Sequence, residues 1–274
     1  MILDKGNERL CNLFFEISNE DRLGIMLKLL DEPMRLTQIS KEFDLSVQEA
    51  SRQLSRLSEI DLVTKNADGL YLLQPYGKNA IRLFPGFQFL TEHVEYFTTH
   101  TLDYLPEVFM NRIGELKECT PINELMLAMS KVTDIVEEAE EYFWYMSEER
   151  LVTSKDYEGG IEIMDKGVQF KYLEPVGYHP PIELLRQMPP GVREGYGRHR
   201  AQGTMVSRML EKIEVTIYMN EKEVGILAFP SNAGEFDYLG FSSNNSKVWK
   251  WCKDVFNYYW DHSSPYVDTL PKAP

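Results

Sequence analysis

Five polar side chains, Gln48, Ser51, Arg52, Ser55 and Arg56, are spaced so that one helix would carry them on a single side. Val47, Ala50, Leu54, Leu57 and Ile60 recur on the other side. The chemistry open to that set is hydrogen bonding to nucleic acid. Arg pairs with guanine edges or phosphate, Gln pairs with adenine, and short serines allow close approach. Ser46, three residues before Glu49, predicts a capping box that starts the helix. The solvated side of an ordinary three-helix domain has the same composition, so this helix alone does not decide the matter.

The neighbouring segments must position it. Upstream, Leu36, Ile39 and Phe43 repeat at helical spacing, and Asp44-Leu45 breaks the pattern, so two helices are joined by a tight turn. Downstream, Leu62-Val63-Thr64 and Leu70-Tyr71-Leu72-Leu73 flank KNADG, which predicts a β-hairpin with Lys65 and Asn66 at its tip. A helix-turn-helix followed at once by a two-stranded wing resembles, from about residue 8 to 80, the winged-helix domain of archaeal regulators related to the arsenical-repressor type. The resemblance implies that the second helix lies in a DNA major groove and that the wing touches the backbone beside it. On these positions it implies contacts from Ser46, Gln48, Ser51, Arg52, Ser55 and Arg56 to bases or phosphates. Lys65 and Asn66 would act from the wing, and Thr37, Gln38 and Lys41 would face the backbone.

Charge argues the other way. The chain carries a formal −14, and phosphate neutralisation supplies most non-specific DNA affinity. Residues 1–80 hold 10 Lys and Arg against 13 Asp and Glu, however, so most of the acidity lies elsewhere. Lys41, Arg52, Arg56 and Lys65 can make the face locally positive. Non-specific binding is expected to be weak.

At 274 residues the chain is too long for one winged helix and suits two domains with real cores. Leu10, Leu13, Phe14 and Ile17 mark a first helix, and Leu23, Met26, Leu27 and Leu30 mark a second. Pro75 and Pro85 bracket a short helix after the wing. From Phe87 to Leu116 the pattern is helical, with Leu90, Val94 and Phe97 on one stripe and Phe109, Ile113 and Leu116 on another after Pro106. Pairing of two chains through such a segment would set two reading helices about 34 Å apart, one duplex turn. Packing on its own chain is the other reading.

Beyond Thr120-Pro121 the runs ELMLAMS, EYFWYMS, IEIM, VQFKYL, IEVTIYM, VGILAFP and FDYLGFS look strand-like. Helical patterns at 131–141, 181–188 and 244–261 interleave them. That alternation predicts an α/β domain with ligand crevices beyond strand ends. The strand pair IEVTIYMNEKEVGILAFP, the run GEFDYLGFSS and the helix WKWCKDVFNYYW make residues 125–262 similar to the effector or middle domain of methanogen-type archaeal regulators. This resemblance implies a sensor domain distantly similar to phospholipase D folds.

A catalytic site of that type needs a histidine two residues before a lysine, and none of His93, His100, His179, His199 or His262 has one. Phosphate loop, dinucleotide fingerprint and nucleophile elbow are missing too. Hydrolase activity is not expected, nor is any cofactor or metal; His93 and His100 with Glu92 and Glu95 read as surface residues of a helix. Cys11, Cys119 and Cys252 lack zinc-site spacing and read as reduced thiols. In GVREGYGRHRAQG, Arg193, Arg198 and Arg200 either hold an anionic effector or balance local acid on a flexible loop.

The expectation is a two-domain α+β or α/β chain: a winged helix-turn-helix over 1–84, a helical linker or dimerisation segment over 85–120, and an α/β effector domain over 121–274. Its function is expected to be that of a dimeric, ligand-modulated, DNA-binding transcriptional regulator acting on operator or promoter DNA. MILDKGNERL has no signal-peptide character and no apolar run is long enough to span a bilayer, so a cytoplasmic location is expected. The alternatives are a winged helix used for protein contact, or an enzyme fused to one.

Overall fold

The computed structural model describes residues 5–151, 154–178 and 190–266. The chain divides into two compact units, Met1–Pro85 and Gly86–Pro274.

The first unit opens with α1 (Lys5–Ile17) and α2 (Glu20–Asp31), followed by β1 (Met34–Arg35), α3 (Leu36–Glu42) and α4 (Val47–Glu59). The hairpin β2 (Val63–Lys65) and β3 (Leu70–Leu73) then leads into α5 (Pro75–Arg82). β3 lies between β1 and β2 in an antiparallel sheet, with Val63 opposite Leu73 and Lys65 opposite Tyr71. Ile25, Met26, Ile39, Ala50, Leu54, Leu57 and Leu62 are fully buried at its centre, which is the apolar periodicity turned inward. Asp44, at φ +51°, makes the α3–α4 turn, which Leu45 N–H closes on Ser40 O at 2.9 Å. In the wing, Gly69 at φ +79° takes the left-handed position that the tight turn requires.

The second unit takes up the chain within α6 (Phe84–Glu92). It continues through α7 (Val94–Thr99), α8 (Glu107–Met110) and a 3-10 turn at Ile113–Leu116 to β4 (Thr120–Ile122) and α9 (Leu125–Glu137). Then follow β5 (Tyr142–Met146), α10 (Ser154–Asp165), β6 (Gln169–Pro175), α11 (Pro190–Gln202), β7 (Met205–Leu210), β8 (Thr216–Asn220), β9 (Val224–Ala228), β10 (Gly240–Ser243), α12 (Ser246–Asp261) and β11 (Ser264–Pro265). The sheet has eight strands in the order β11-β7-β6-β5-β8-β9-β10-β4. β5, β6 and β7 are parallel, and β8 pairs antiparallel on the other side of β5.

Both faces of this sheet are covered, so its strands read as unbroken apolar runs rather than alternating ones. Along β5, Phe143 and Tyr145 join the core beneath α9 and α10, while Trp144 and Met146 join the core beneath α12. Trp251, Val255 and Phe256 of α12 are completely buried there, as the aromatic helix pattern predicts.

Several sequence expectations change. ELMLAMS is helical, forming the first half of α9, and IEIM lies within α10. MVSRML, not expected as a strand, is β7. GVREGYGRHRAQG lies in α11 rather than in a loop. The segment from Phe87 to Leu116 is three short helices and a 3-10 turn. Phe89, Phe109, Ile113 and Leu116 lie in the second unit's core. The helix expected at 181–188 lies outside the described residues.

Candidate nucleic-acid interface

The candidate face is built on a capped helix. Ser46 Oγ accepts from Glu49 N–H at 3.1 Å, and the Glu49 carboxylate accepts from Ser46 N–H at 3.0 Å and from its hydroxyl at 2.7 Å. The Ser46 hydroxyl is the main reason the Glu49 carboxyl is held below its ordinary range. From that start, Gln48, Arg52 and Ser55 are exposed and Ser51 is half-buried, all on the side away from Ala50, Leu54 and Leu57.

Arg56 is different. Its guanidinium clasps Glu16 of α1, with Nε 2.8 Å from Oε2 and Nη2 2.6 Å from Oε1, and lies 5.4 Å from the Phe15 ring centroid. Glu16 is only 8% exposed and also meets Arg22 Nε at 3.1 Å. Arg22 in turn donates from Nη1 to Gln53 Oε1 at 2.9 Å. This network fastens the end of α1 and the start of α2 to the inner flank of α4. The sequence pattern gave no sign of it, because Glu16 and Arg56 are far apart in the chain.

Thr37, Gln38 and Lys41 are exposed on α3. Gln38 Oε1 accepts from Arg35 N–H at 2.7 Å, so part of its hydrogen-bonding capacity serves the helix start. On the wing, Lys65 Nζ lies 5.4 Å from the Tyr71 ring centroid. Asn66 Oδ1 accepts from Asp68 N–H at 3.0 Å and Leu70 N–H at 2.9 Å. Asn66 therefore shapes the turn that presents Lys65, and its side-chain amide is left to act outward.

In the second unit, Arg193, Arg198 and Arg200 are exposed on α11. Arg198 pairs with Asp165 at 2.7 Å, and Arg200 lies 4.4 Å from the Tyr266 ring centroid. His100 Nε2 is 3.1 Å from Asp237, with its ring stacked on Tyr96. His93 packs against Phe89 and Phe241, and burial pushes its pKa down. The Cys119 thiol is pushed up to about 12 by burial, so it stays protonated. Among the described residues, no three His, Cys, Asp or Glu side chains gather to hold a metal, and no helix is long and apolar enough to cross a membrane.

One group escaped the sequence reading altogether. Arg150, just after β5, pairs with the buried Glu174 at 2.7 Å, surrounded by tyrosines. Burial works against its charge, but Tyr145 and Glu174 more than compensate and keep it protonated.

Residues 19–65 match the model of the bacterial regulatory proteins of the arsR family. These residues resemble an ArsR-family helix-turn-helix. The match covers α2 through α4 and reaches Lys65 at the end of β2. No curated protein matches the chain. Among solved structures, the archaeal chromatin protein TrmBL2, whose structure shows a novel mode of DNA binding, is 14% identical. That likeness covers 90% of this chain and 94% of that one, with a TM-score of 0.42. HlyU from Vibrio cholerae is 28% identical over 30% of this chain and 94% of its own, at TM-score 0.27. Nuc, a phospholipase D family member from Salmonella typhimurium, is 12% identical over 49% of this chain and 88% of its own, at TM-score 0.32. The likeness to the arsR family rests on that sequence match.

Proposed function

We propose that the chain is a sequence-specific DNA-binding transcriptional regulator in which α4 of the ArsR-type domain reads a major groove and the wing holds the flanking backbone. The observation that carries this is the open polar side of α4. Gln48, Ser51, Arg52 and Ser55 stand clear of a closed apolar core, at the end of a capped helix, beside a wing carrying Lys65. A face built only for solvation has no need of a following two-stranded projection. Gln48 and Arg52 are assigned to base edges, the serines to close approach, and Thr37, Lys41 and Lys65 to phosphates.

In this reading the protein acts as a homodimer without catalytic activity, and its α/β unit biases the spacing of two paired α4 helices when a small ligand binds. Only a ligand that favours one spacing can switch it. The 85–120 segment serves dimerisation through side chains such as Val94 and Val108, which are more than half exposed while their neighbours fill the core. Fluorescence anisotropy on DNA from upstream of the coding sequence tests the reading. Binding is expected to discriminate against scrambled DNA and to weaken steeply with salt. Equal affinity for both DNAs overturns it. The acidity of the whole chain favours one competing use, a winged helix that docks on protein, and the absence of salt-dependent binding to upstream DNA would point there.

A further inference from the structure

We propose that the cavity beside Arg150 is the effector site, and that it takes the carboxylate of a small organic acid. This rests on the reading of the chain as a ligand-modulated regulator and names the class of ligand.

The cavity lies where the topology favours one. β5, β6 and β7 run parallel and step outward to one side of β5, whereas β8 returns to its other side, so the strand order reverses at β5. Crevices beyond the carboxyl ends of parallel strands at such a reversal are the usual ligand sites of α/β sheets. Tyr145 of β5, Glu174 of β6 and Arg150 in the loop leaving β5 all stand at that end.

The polar groups there are built but not fully used. The Arg150 guanidinium carbon sits 5.2 Å from the ring centroid of Tyr172, 5.7 Å from that of Tyr178, and 5.9 Å from those of Tyr145 and Tyr157. Its side chain is 11% exposed. Nε donates to Glu174, which also accepts from the Tyr145 hydroxyl. Among the described residues, the two Nη groups have no acceptor. The hydroxyl of Tyr157, a residue only 4% exposed, also lacks a partner among them. Its neighbours are satisfied: Tyr218 donates to Glu149 O at 3.1 Å and accepts from Leu151 N–H at 3.1 Å. Among the described residues the buried Tyr157 hydroxyl beside the cavity has no partner, which is costly unless something occupies the space, and the two Nη groups are open to the same occupant.

Shape and charge narrow the occupant. The cavity volume is about 30 Å³, and at roughly 10–15 Å³ per ordered water it admits a carboxylate or a pair of waters. A planar carboxylate matches the Nη fork and can also accept from Tyr157. Phosphate is bulkier, and as a dianion it is opposed by Glu174 on the same guanidinium. Asp156 also lines the cavity but accepts from Thr133 Oγ1 at 3.0 Å. The fit of Tyr196 to this wall needs Gly160, since a Cβ there would come 2.6 Å from the Tyr196 hydroxyl.

The test titrates ¹³C-labelled acetate into the full-length chain without DNA, at constant ionic strength, and follows acetate line broadening and the melting midpoint. Acetate is expected to bind saturably, and acetamide and inorganic phosphate are expected not to. Tyr157→Phe is expected to weaken acetate binding about tenfold, the loss of one hydrogen bond to a charged group, without lowering the melting midpoint of the ligand-free protein. Arg150→Lys is expected to weaken it further. Absence of saturable binding, equal binding of acetamide or phosphate, or an unchanged affinity in Tyr157→Phe overturns the proposal. These measurements contain no DNA, so their failure is separate from a failure of the operator-binding experiment.

Discussion

Arg56 grips Glu16 through both carboxylate oxygens, at 2.8 and 2.6 Å, and so ties the last turn of α1 to the last turn of α4. Arg56 thereby spends its Nε and Nη2 on its own domain while 40% of its side chain stays exposed, and Arg52 is the more exposed arginine of the same helix. The two arginines separate by experiment. Arg52→Ala is expected to cut operator affinity tenfold or more, in line with about 1–3 kcal/mol for a specific base contact, while leaving the melting midpoint unchanged. Arg56→Ala is expected to lower the melting midpoint by several degrees, because Glu16 loses its clasp. Anisotropy and calorimetry on both variants check this.

Acid should loosen the same joint. The hydrogen bonds from Arg56 hold the Glu16 carboxyl below its ordinary value of 4.5, burial opposes them, and the charge of Arg22 adds to them. A carboxyl depressed in the folded state contributes stability above its unfolded pKa and loses it as pH falls through the folded one. The winged-helix unit is therefore expected to lose stability below about pH 4.5. In Glu16→Gln that pH dependence should flatten, with lower stability at neutral pH. Melting curves from about pH 3 to 7 decide it.

Ser46 supplies the cap that starts α4. Ser46→Ala is expected to cost about 1 kcal/mol, Ser46→Gly a few tenths, and Ser46→Asp very little. Urea denaturation of the three variants orders them, and an Ala variant as stable as the parent would remove the capping argument.

Two glycines predict opposite outcomes. A Cβ at Gly77 would stand 2.3 Å from the Leu62 carbonyl oxygen, so Gly77→Ala is expected to destabilise the first unit by about 1–3 kcal/mol. Gly197 lies within α11 with open space around its missing Cβ. Gly197→Ala is expected to stabilise by about 0.5–1 kcal/mol. Differential scanning calorimetry reads both.

What the sequence made legible was local. Ser46 and Glu49 announced the start of α4, KNADG announced the wing, and the Trp-rich run at 248–260 announced a core helix, because each signal lies within a few residues. α9 was misread because Leu125, Met126 and Leu127 form a continuous apolar run yet stand exposed on the first turn of a helix. The glycines of α11 disguised a helix as a loop, and of the arginines it carries, Arg198 pairs with Asp165 and Arg200 lies against the Tyr266 ring. The exposure of Gln48, Arg52 and Ser55 opposite the buried Ala50, Leu54 and Leu57 was recoverable from periodicity. Arg56's bond to Glu16 and Arg150's setting among tyrosines were not, since each depends on partners dozens of residues away that only the fold assembles.

β4 is bonded along β10, with Ile122 opposite Gly240 and Thr120 opposite Ser242. A pairing across about 120 residues of intervening chain is strongly non-local and belongs to the slow class of folding steps. On the ribosome, then, the first unit can complete itself early from neighbouring segments. The large sheet has to wait for α12 and its last strands, β10 and β11, to emerge.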